Sequence, residues 1–410
     1  MNIWHSYKNS SFILKMTVGF VLGILAGVLF GAEDEIFKPF GTLLIKLLNL
    51  IATPVVFLTV VLAVNQMIPA QLGRTGGKLV LYYGATTAAA VLIGLSLALW
   101  INPGSSLTLP NAEVEKPATP SISDVIFNIV PDNFFSAFTS GNLIAILFLA
   151  IIIGFTISGM RFAADEKIQN YGAQLQTFLE AANEVFFRIL KGILLYAPIG
   201  IFAISASTFG TQGWDTLISL LEFTAVFYIG VIILWVFVYS GTLKLFKIPV
   251  KSFFVNTKDA YTTAFFTSSS IASLPVAIES AKKAGISERM VNFSLPLGAV
   301  FNSDGGALRM GASIVFAANV TGVSFSLTDF ITIVLIGTLL SIGTAGIPAA
   351  GLVTLSVVLT MFDLPLEVVA LIAGVDAIIG MAGTASNVVG DVVGAAVVDQ
   401  SEKKAEMAGQ

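Results

Sequence analysis

Residues 261–279, YTTAFFTSSSIASLPVAIE, are apolar at both ends and interrupted at the centre by serines and a proline. Residues 332–361, TIVLIGTLLSIGTAGIPAAGLVTLSVVLTM, repeat the design. Their cores, SSIASLP (269–275) and IGTAGIP (342–348), align position for position as small residues ending in an apolar–Pro pair. Such interruptions leave backbone groups unpaired, which hydrocarbon tolerates only where the segment lines a protein-enclosed cavity. Each segment is therefore predicted to be two half-helices meeting at a tip, a re-entrant hairpin in place of a kinked crossing.

The rest of the chain supplies the membrane. Of 410 residues, 56% are hydrophobic and 11% charged, less than half of the roughly 25% charge of soluble domains. Mean hydropathy is +0.89, so the surface must be largely lipid-facing. Cysteine is absent and His5 is the single histidine. Disulfide scaffolds, Cys/His zinc sites, thiol nucleophiles and His-based triads are thereby excluded. A net charge of −4 without a basic tract argues against nucleic acid as a partner.

Apolar runs at Met16–Phe30 and at about 40–66, 79–101, 140–160, 185–207 and 217–243 are each long enough to cross ~30 Å of hydrocarbon. The first reads as a spanning helix, since no small-residue cleavage site follows it. Basic residues mark alternate loops: Lys8 and Lys15, Arg74 and Lys78, Arg161 and Lys167, then Lys244, Lys247, Lys251 and Lys258. The positive-inside rule puts the N-terminus in the cytoplasm and returns the sixth helix there. The polar stretch 103–124 reads as a flexible outer connector.

Hairpins decide the remaining topology. If 252–278 turns back, Lys282, Lys283 and Arg289 stay cytoplasmic. Helix 290–318 then crosses outward to a loop, 319–329, without Lys or Arg. Hairpin 332–361 re-enters from outside, leaving Asp363 and Glu367 there, and helix 368–398 returns to Lys403 and Lys404. The expectation is an all-α integral membrane protein of the cell membrane, with eight transmembrane helices, two re-entrant hairpins and both termini cytoplasmic. Paired hairpin–helix units with broken segments in corresponding places point to a transporter binding site.

Each ionised side chain at mid-bilayer costs about 2.5–3.5 kcal/mol on insertion scales, so those that are present need a reason. Helix 290–318 carries Asn302, Asp304 and Arg309, and the last helix carries Asp376, Asn387 and Asp391. Asn387 and Asp391 share a helix face at i,i+4. Gly305–Gly306 disfavours regular helix beside Asp304. Carboxylate, carboxamide and loosened carbonyl oxygens in a dry site suit a hard cation such as Na⁺. Arg309, the only basic residue between Arg289 and Lys403, has two readings. It anchors an anionic substrate group, or it forms an internal pair with Asp304 or Asp391.

Taken together, YAPIGIF (196–202), TSSSIASLP (267–275), SLPLGAVFNSDGGAL (294–308), SIGTAGIPAAG (341–351) and VDAIIGMAGTASNVVGD (375–391) resemble the dicarboxylate/amino acid:cation symporters, which include the glutamate transporters. That resemblance covers nearly the whole chain and implies inverted repeats, a homotrimer and an elevator motion. It further implies a scaffold in 1–250, with helices 3 and 6 moving with the transport core, a core in 251–400 and a cytoplasmic tail in 401–410. One implied Na⁺ site is Gly298, Asn302, Asn387 and Asp391. A second lies at backbone groups of Val300, Ser303, Ser341, Ile342 and Thr344. A third is Tyr83, Thr86, Thr87, Asn302 and Asp304. The second hairpin is implied as the outer gate, with Ile347 and Gly351 closing over substrate.

The substrate positions depart from the pattern. Where the family's amino-acid carriers hold the substrate amino group with an Asp and its side-chain carboxylate with an Arg, this chain has Gly380 and Gly383. The threonine ending the family's NMDGT motif is Gly306, and an arginine that some relatives carry before the serine tip is Ser268. Asn387 and the tip serines Ser269 and Ser270 remain, and Arg309 is the one candidate for a replacement cation. The expected function is Na⁺-coupled symport of a small carboxylate-bearing organic solute other than an acidic amino acid. Alternatives are a neutral-solute or proton-coupled carrier of the same fold and, remotely, an intramembrane aspartyl protease using Asp304 and Asp391.

Overall fold

The computed structural model describes residues 12–31, 34–65, 72–107, 130–139, 143–341, 350–362 and 364–408. All regular elements among them are helical. The first half contains α1 (Phe12–Phe30), α2 (Asp34–Asn65), α3 (Gly77–Ile101), a short α4 (Phe134–Thr139), α5 (Leu143–Arg161) and α6 (Glu166–Gln212). It continues with α7 (Trp214–Ile233), which runs through a π-helical turn, Leu234–Tyr239, into α8 (Ser240–Leu245). The second half contains α9 (Val250–Thr267), α10 (Ser270–Lys283), α11 (Glu288–Phe301), α12 (Asp304–Thr321), α13 (Leu327–Ser341), α14 (Ala350–Met361) and α15 (Glu367–Ala408).

Among the described residues, five helical stretches are long and apolar enough to cross a membrane: Ile36–Asn65, Arg74–Ile101, Glu166–Thr211, Trp214–Leu245 and Glu367–Ala405. Leu14–Phe30, Ala145–Arg161 and Leu327–Ser341 are shorter apolar helices. This is a multi-span, all-α membrane fold. Large apolar side chains point outward along it; Trp100 at the end of α3 and Trp214 at the start of α7 are 79% and 75% exposed. Amphipathic rings at helix ends suit the membrane–water interface.

Helix α6 begins some twenty residues before the apolar run that announces it. Asp165 caps it, its Oδ1 accepting the Lys167 amide at 2.8 Å, and the preceding polar turns are carried outside the packed region. Capping and continuous helix propensity extend the element where hydropathy gives no signal.

Two packing groups emerge. In one, α6 lies along α1 and α2, and α5 joins α2 and α6. Gly19, Gly23 and Gly27 of α1 face carbonyls of Pro198, Phe202 and Ala206 so closely that a methyl at each would sit 2.5 Å from oxygen. Small residues at every fourth position let the backbones meet, which is how helices associate in lipid. In the other group, α3 and α7 pack on α12 and α15. Gly311 of α12 makes an equivalent approach to the Val91 carbonyl of α3. The C-terminal elements surround α15, which contacts α9, α10, α11 and α12.

The two predicted hairpins differ. Helices α9 and α10 pack side by side, and the chain reverses through Ser268, whose φ of 48° is left-handed. Ser269 then caps α10, its Oγ accepting the Ala272 amide at 3.2 Å. By contrast α13 lies on α3 and α12, whereas α14 lies on α2, α12 and α15. These two arms are not packed along one another, and residues 342–349 between them fall outside the described residues. The expected single helix 290–318 is also two helices. Its break is at Asn302–Ser303, with Ser303 at φ −137°, ψ 59°, and Gly305–Gly306 lie inside the first turn of α12. The extended pair precedes the glycines because Asn302 and Asp304 must both turn toward the interior.

Candidate functional site

The break between α11 and α12 sets the site. It buries Asn302 and Asp304 completely and opens α12 with its free amides directed inward. Asp304 accepts three hydroxyls: Tyr239 at 2.7 Å, Thr87 at 2.9 Å and Thr86 at 3.2 Å. Helix α3 supplies the threonines because Tyr83, Thr86 and Thr87 fall on its buried face. Ser341, the last residue of α13, brings its Oγ to 3.5 Å from Thr87 Oγ1, so the second broken segment ends at the same cluster.

A stripe on α15 completes the arrangement. Residues 376, 380, 383, 387 and 391 recur at helical spacing and face one side. Asn302 Nδ2 donates to Asp391 Oδ1 at 3.0 Å and to the Asn387 carbonyl at 3.2 Å. Asn387 Oδ1 accepts the Gly305 amide at 2.8 Å, and its Nδ2 lies 3.4 Å from Ser303 Oγ. Tyr83 directs its hydroxyl to the Ser294 carbonyl at 3.4 Å. The glycines that flank the cluster leave room for it. A methyl on Gly298 would sit 2.6 Å from Asp391 Oδ1 and 2.9 Å from the Tyr83 hydroxyl. One on Gly390 would sit 2.6 Å from Asn302 Nδ2 and 2.8 Å from Asp304 Oδ2.

Asp304 and Asp391 are buried and, among the described residues, neither forms a salt bridge. Among the described residues the buried Asn302 Oδ1 has no hydrogen-bond partner. Uncompensated buried carboxylates are strongly destabilising, and carboxylate and carboxamide oxygens are the donor type that suits a hard cation. The oxygen donors present fit Na⁺. Among the described residues no group of three or more His, Cys, Asp or Glu forms a polyvalent metal site.

Arg309, in the second turn of α12, is buried and paired through Nη1 with Asp376 of α15. The partner is neither of the two aspartates that the residue spacing suggested, because Asp304 and Asp391 are turned toward α3, α7 and α11. The guanidinium lies against Gly351 at the start of α14, where any β-carbon would overlap it. Gly380, one turn beyond Asp376, has open space where a side chain would be. Gly383 lies in backbone contact with Gly305, where α12 and α15 cross, and a methyl on it would reach Phe227 Cζ at 3.5 Å. Gly306 sits over Ser303 Oγ, and Val300 lies partly buried in the last turn of α11.

The serine tip carries unused polar capacity. Among the described residues Ser268 Oγ and Ser270 Oγ are buried without partners, and no hydrogen bond joins Ser269 or Ser270 to the Arg309–Asp376 pair. Ile342, Thr344 and Ile347 lie outside the described residues. Three participants were not anticipated from the sequence. Tyr239 bonds Asp304 and approaches the Ser386 carbonyl at 3.1 Å, and Trp235 Nε1 donates to Ser386 Oγ at 2.9 Å. Both aromatics lie in the π-helical turn after α7, a feature concentrated at functional sites. An aromatic run in a spanning helix gives no sign of that turn.

Asp304 and Asp391 each accept hydrogen bonds from hydroxyl or amide groups and, among the described residues, none joins the two carboxyls, an arrangement unlike the proton-sharing pair of an aspartyl protease. Comparison with known proteins agrees. The model of the Sodium:dicarboxylate symporter family matches residues 12–401. The chain is 30% identical over 402 residues to the proton/sodium-glutamate symport protein of Bacillus subtilis, covering 95% of this chain and 92% of that one. It is 31% identical to the C4-dicarboxylate transport protein of Cupriavidus pinatubonensis, covering 97% and 93%. A second C4-dicarboxylate transport protein, from Mesorhizobium japonicum, is 30% identical over 95% of this chain and 89% of its own. The chain belongs to the sodium:dicarboxylate symporter family and is a secondary active transporter of the dicarboxylate/amino-acid class, not an enzyme.

Proposed function

We propose that the protein is a sodium-coupled symporter of a small organic solute bearing a carboxylate, other than an acidic amino acid. One observation carries this: two buried aspartates without basic partners, beside the orphaned Asn302 Oδ1. Na⁺ bound by Asp304 with Tyr83, Thr86, Thr87 and Asn302, and by Asp391 with Gly298, Asn302 and Asn387, supplies the missing charge. A further ion is held at backbone groups of Val300, Ser303, Ser341, Ile342 and Thr344. The solute lies between the serine tip at Ser269 and Ser270, Gly306, the α15 stripe at Gly380, Gly383 and Asn387, and the second hairpin at Ile347 and Gly351. Its carboxylate takes Arg309, exchanging with Asp376.

The proposed architecture has eight crossings and two re-entrant hairpins in inverted repeats, with both termini on the cytoplasmic side of the cell membrane. The division of packing into α1, α2, α5 and α6 on one side and α3, α7 and α9–α15 on the other supports a scaffold and a moving core. In a homotrimer the scaffolds associate and each core travels as an elevator. Cation binding that orders the second hairpin makes ion and solute binding mutually favourable.

Uptake by proteoliposomes tests the proposal, using monocarboxylates, C4-dicarboxylates and glutamate under an imposed Na⁺ gradient. Electrogenic, Na⁺-dependent accumulation of a carboxylate is expected. Uptake that continues unchanged without Na⁺ overturns it. A neutral-solute or proton-coupled carrier is the second reading, favoured by the neutralisation of Arg309 by Asp376. Affinity that follows pH and ignores Na⁺ selects proton coupling, while preference for uncharged solutes selects the neutral cargo.

A further inference from the structure

A cavity of about 520 Å³ opens between α7 with its π-helical turn, α9 and α15. Tyr228, Trp235, Tyr261, Phe265, Phe266 and Ala385 are among its walls, which are almost entirely apolar. The volume falls within the range of small-molecule sites. Phe266 on its rim is 74% exposed, and two of the three elements that form it, Trp214–Leu245 and Glu367–Ala405, are long and apolar enough to cross a membrane, which sets the groove at membrane depth. The aromatic walls are fixed by their own contacts. Trp235 stacks on Phe254 at 6.0 Å and 12° and meets Tyr261 edge-on at 5.3 Å.

One end of this groove is basic. On α9, residues 251, 258, 262 and 266 share a face by helical spacing, so the stripe leads from Lys251 and Lys258 to the groove residues Thr262 and Phe266. On the antiparallel neighbour, Val236 lines the groove and Lys244 and Lys247 follow it toward the same end. Lys251 and Lys258 are exposed and form no salt bridge among the described residues. The nearby carboxylate of Asp259 lies 3.8 Å from Lys283 Nζ, which reduces its competition for Lys258.

We propose that this groove binds an anionic phospholipid, its acyl chain against Trp235 and Phe265 and its headgroup on Lys258 and Lys251. Charge complementarity selects the occupant: an apolar slot at membrane depth ending in lysines matches a tail joined to a negative headgroup. The inference is independent of the solute or ion transported. Because the Trp235 indole that lines the groove also bonds Ser386, one residue before Asn387, a lipid seated there touches a wall of the polar site.

Quenching by brominated lipid tests it on the full-length chain. The protein has four tryptophans, so Trp4→Phe, Trp100→Phe and Trp214→Phe leave Trp235 as the reporter. Mixed micelles carry phosphatidylglycerol or phosphatidylcholine brominated on the acyl chain. Half-quenching is expected at an at least threefold lower mole fraction of phosphatidylglycerol, two lysines at about 1 kcal/mol each setting an upper bound of roughly thirtyfold. Lys251→Gln with Lys258→Gln should remove that difference while leaving quenching by phosphatidylcholine. Equal curves for the two lipids, a preference that survives the lysine changes, or no quenching by either lipid overturns the proposal. If the triple tryptophan variant does not fold, native mass spectrometry of the unmodified protein reads the same preference as retained lipid adducts. There, equal retention of both lipids overturns it.

Discussion

Arg309 and Asp376, 67 residues apart in sequence, form a buried ion pair that joins α12 to α15 beside the first turn of α14. It unites the only basic residue between Arg289 and Lys403 with a carboxylate whose helix also carries Asn387 and Asp391. Removing one member leaves an uncompensated buried charge, which costs about 3–5 kcal/mol. Arg309→Ala or Asp376→Asn alone should therefore lower the thermal midpoint sharply. A paired apolar replacement, Arg309→Met with Asp376→Leu, should recover most of the loss yet bind the transported carboxylate weakly. Differential scanning fluorimetry and ligand-induced shifts check both parts. If Arg309→Ala binds that carboxylate as tightly as the unmodified protein, Arg309 is not its anchor.

Gly351 should be irreplaceable while Arg309 is present. Its β-position is occupied by the guanidinium, so Gly351→Ala must displace α14, the arginine or both. Uptake is expected to fall by at least tenfold. With Arg309→Ala in the same chain, Gly351→Ala should cost nothing beyond the loss from Arg309→Ala alone, because the obstruction is removed. A Gly351→Ala protein with unchanged uptake and midpoint would show that the two do not meet.

Tyr239 should report ion occupancy through Asp304. Its hydroxyl lies 2.7 Å from the carboxylate, and a hydrogen bond to a charged group contributes about 1.5–3 kcal/mol. Tyr239→Phe should lower the thermal midpoint most in Na⁺-free buffer. Saturating Na⁺ should narrow the gap, since a bound cation gives Asp304 an alternative partner. A gap identical at every Na⁺ concentration would separate Tyr239 from the ion site.

Gly298 and Gly241 offer a matched pair. A methyl on Gly298 meets Asp391 Oδ1 at 2.6 Å, whereas one on Gly241 meets nothing within 4 Å. Gly298→Ala should weaken Na⁺ activation of uptake by an order of magnitude. Gly241→Ala should be neutral or stabilise by about 0.5–1 kcal/mol through helix propensity. Sodium titrations of uptake, with melting curves for both variants, distinguish the outcomes.

Gly380 should control cargo size and not stability. It faces open space one turn from Asp376. Gly380→Ala is expected to leave the thermal midpoint nearly unchanged or slightly raised, while altering the order of preference among carboxylates. Competition uptake against a panel of solutes of graded size measures this.

Much of the candidate site was legible in the residues themselves. Buried carboxylates and carboxamides are conspicuous in an apolar chain because each costs energy in lipid, so Asn302, Asp304, Asn387 and Asp391 announced themselves. The serine interruption at Ser268–Ser270 likewise announced a reversal, and α9 and α10 pack accordingly. The Gly305–Gly306 pair points to a break beside Asp304, and the structure has it three residues earlier, at Asn302–Ser303.

What the sequence determined alone was the solvent, the helical class and the polar residues that lipid would not accept without cause. Periodicity and transfer energy act locally, so they can be read along the chain. Only the tertiary structure chose partners: Asp376 and not Asp304 for Arg309, Tyr239 for Asp304, and Ser386 for Trp235. Those choices depend on how helices remote in sequence cross and on which small residues let their backbones meet, as at Gly305 and Gly383. Pairing of charge and hydrogen bonds in a low-dielectric interior is decided by angstroms of separation, which no linear spacing encodes.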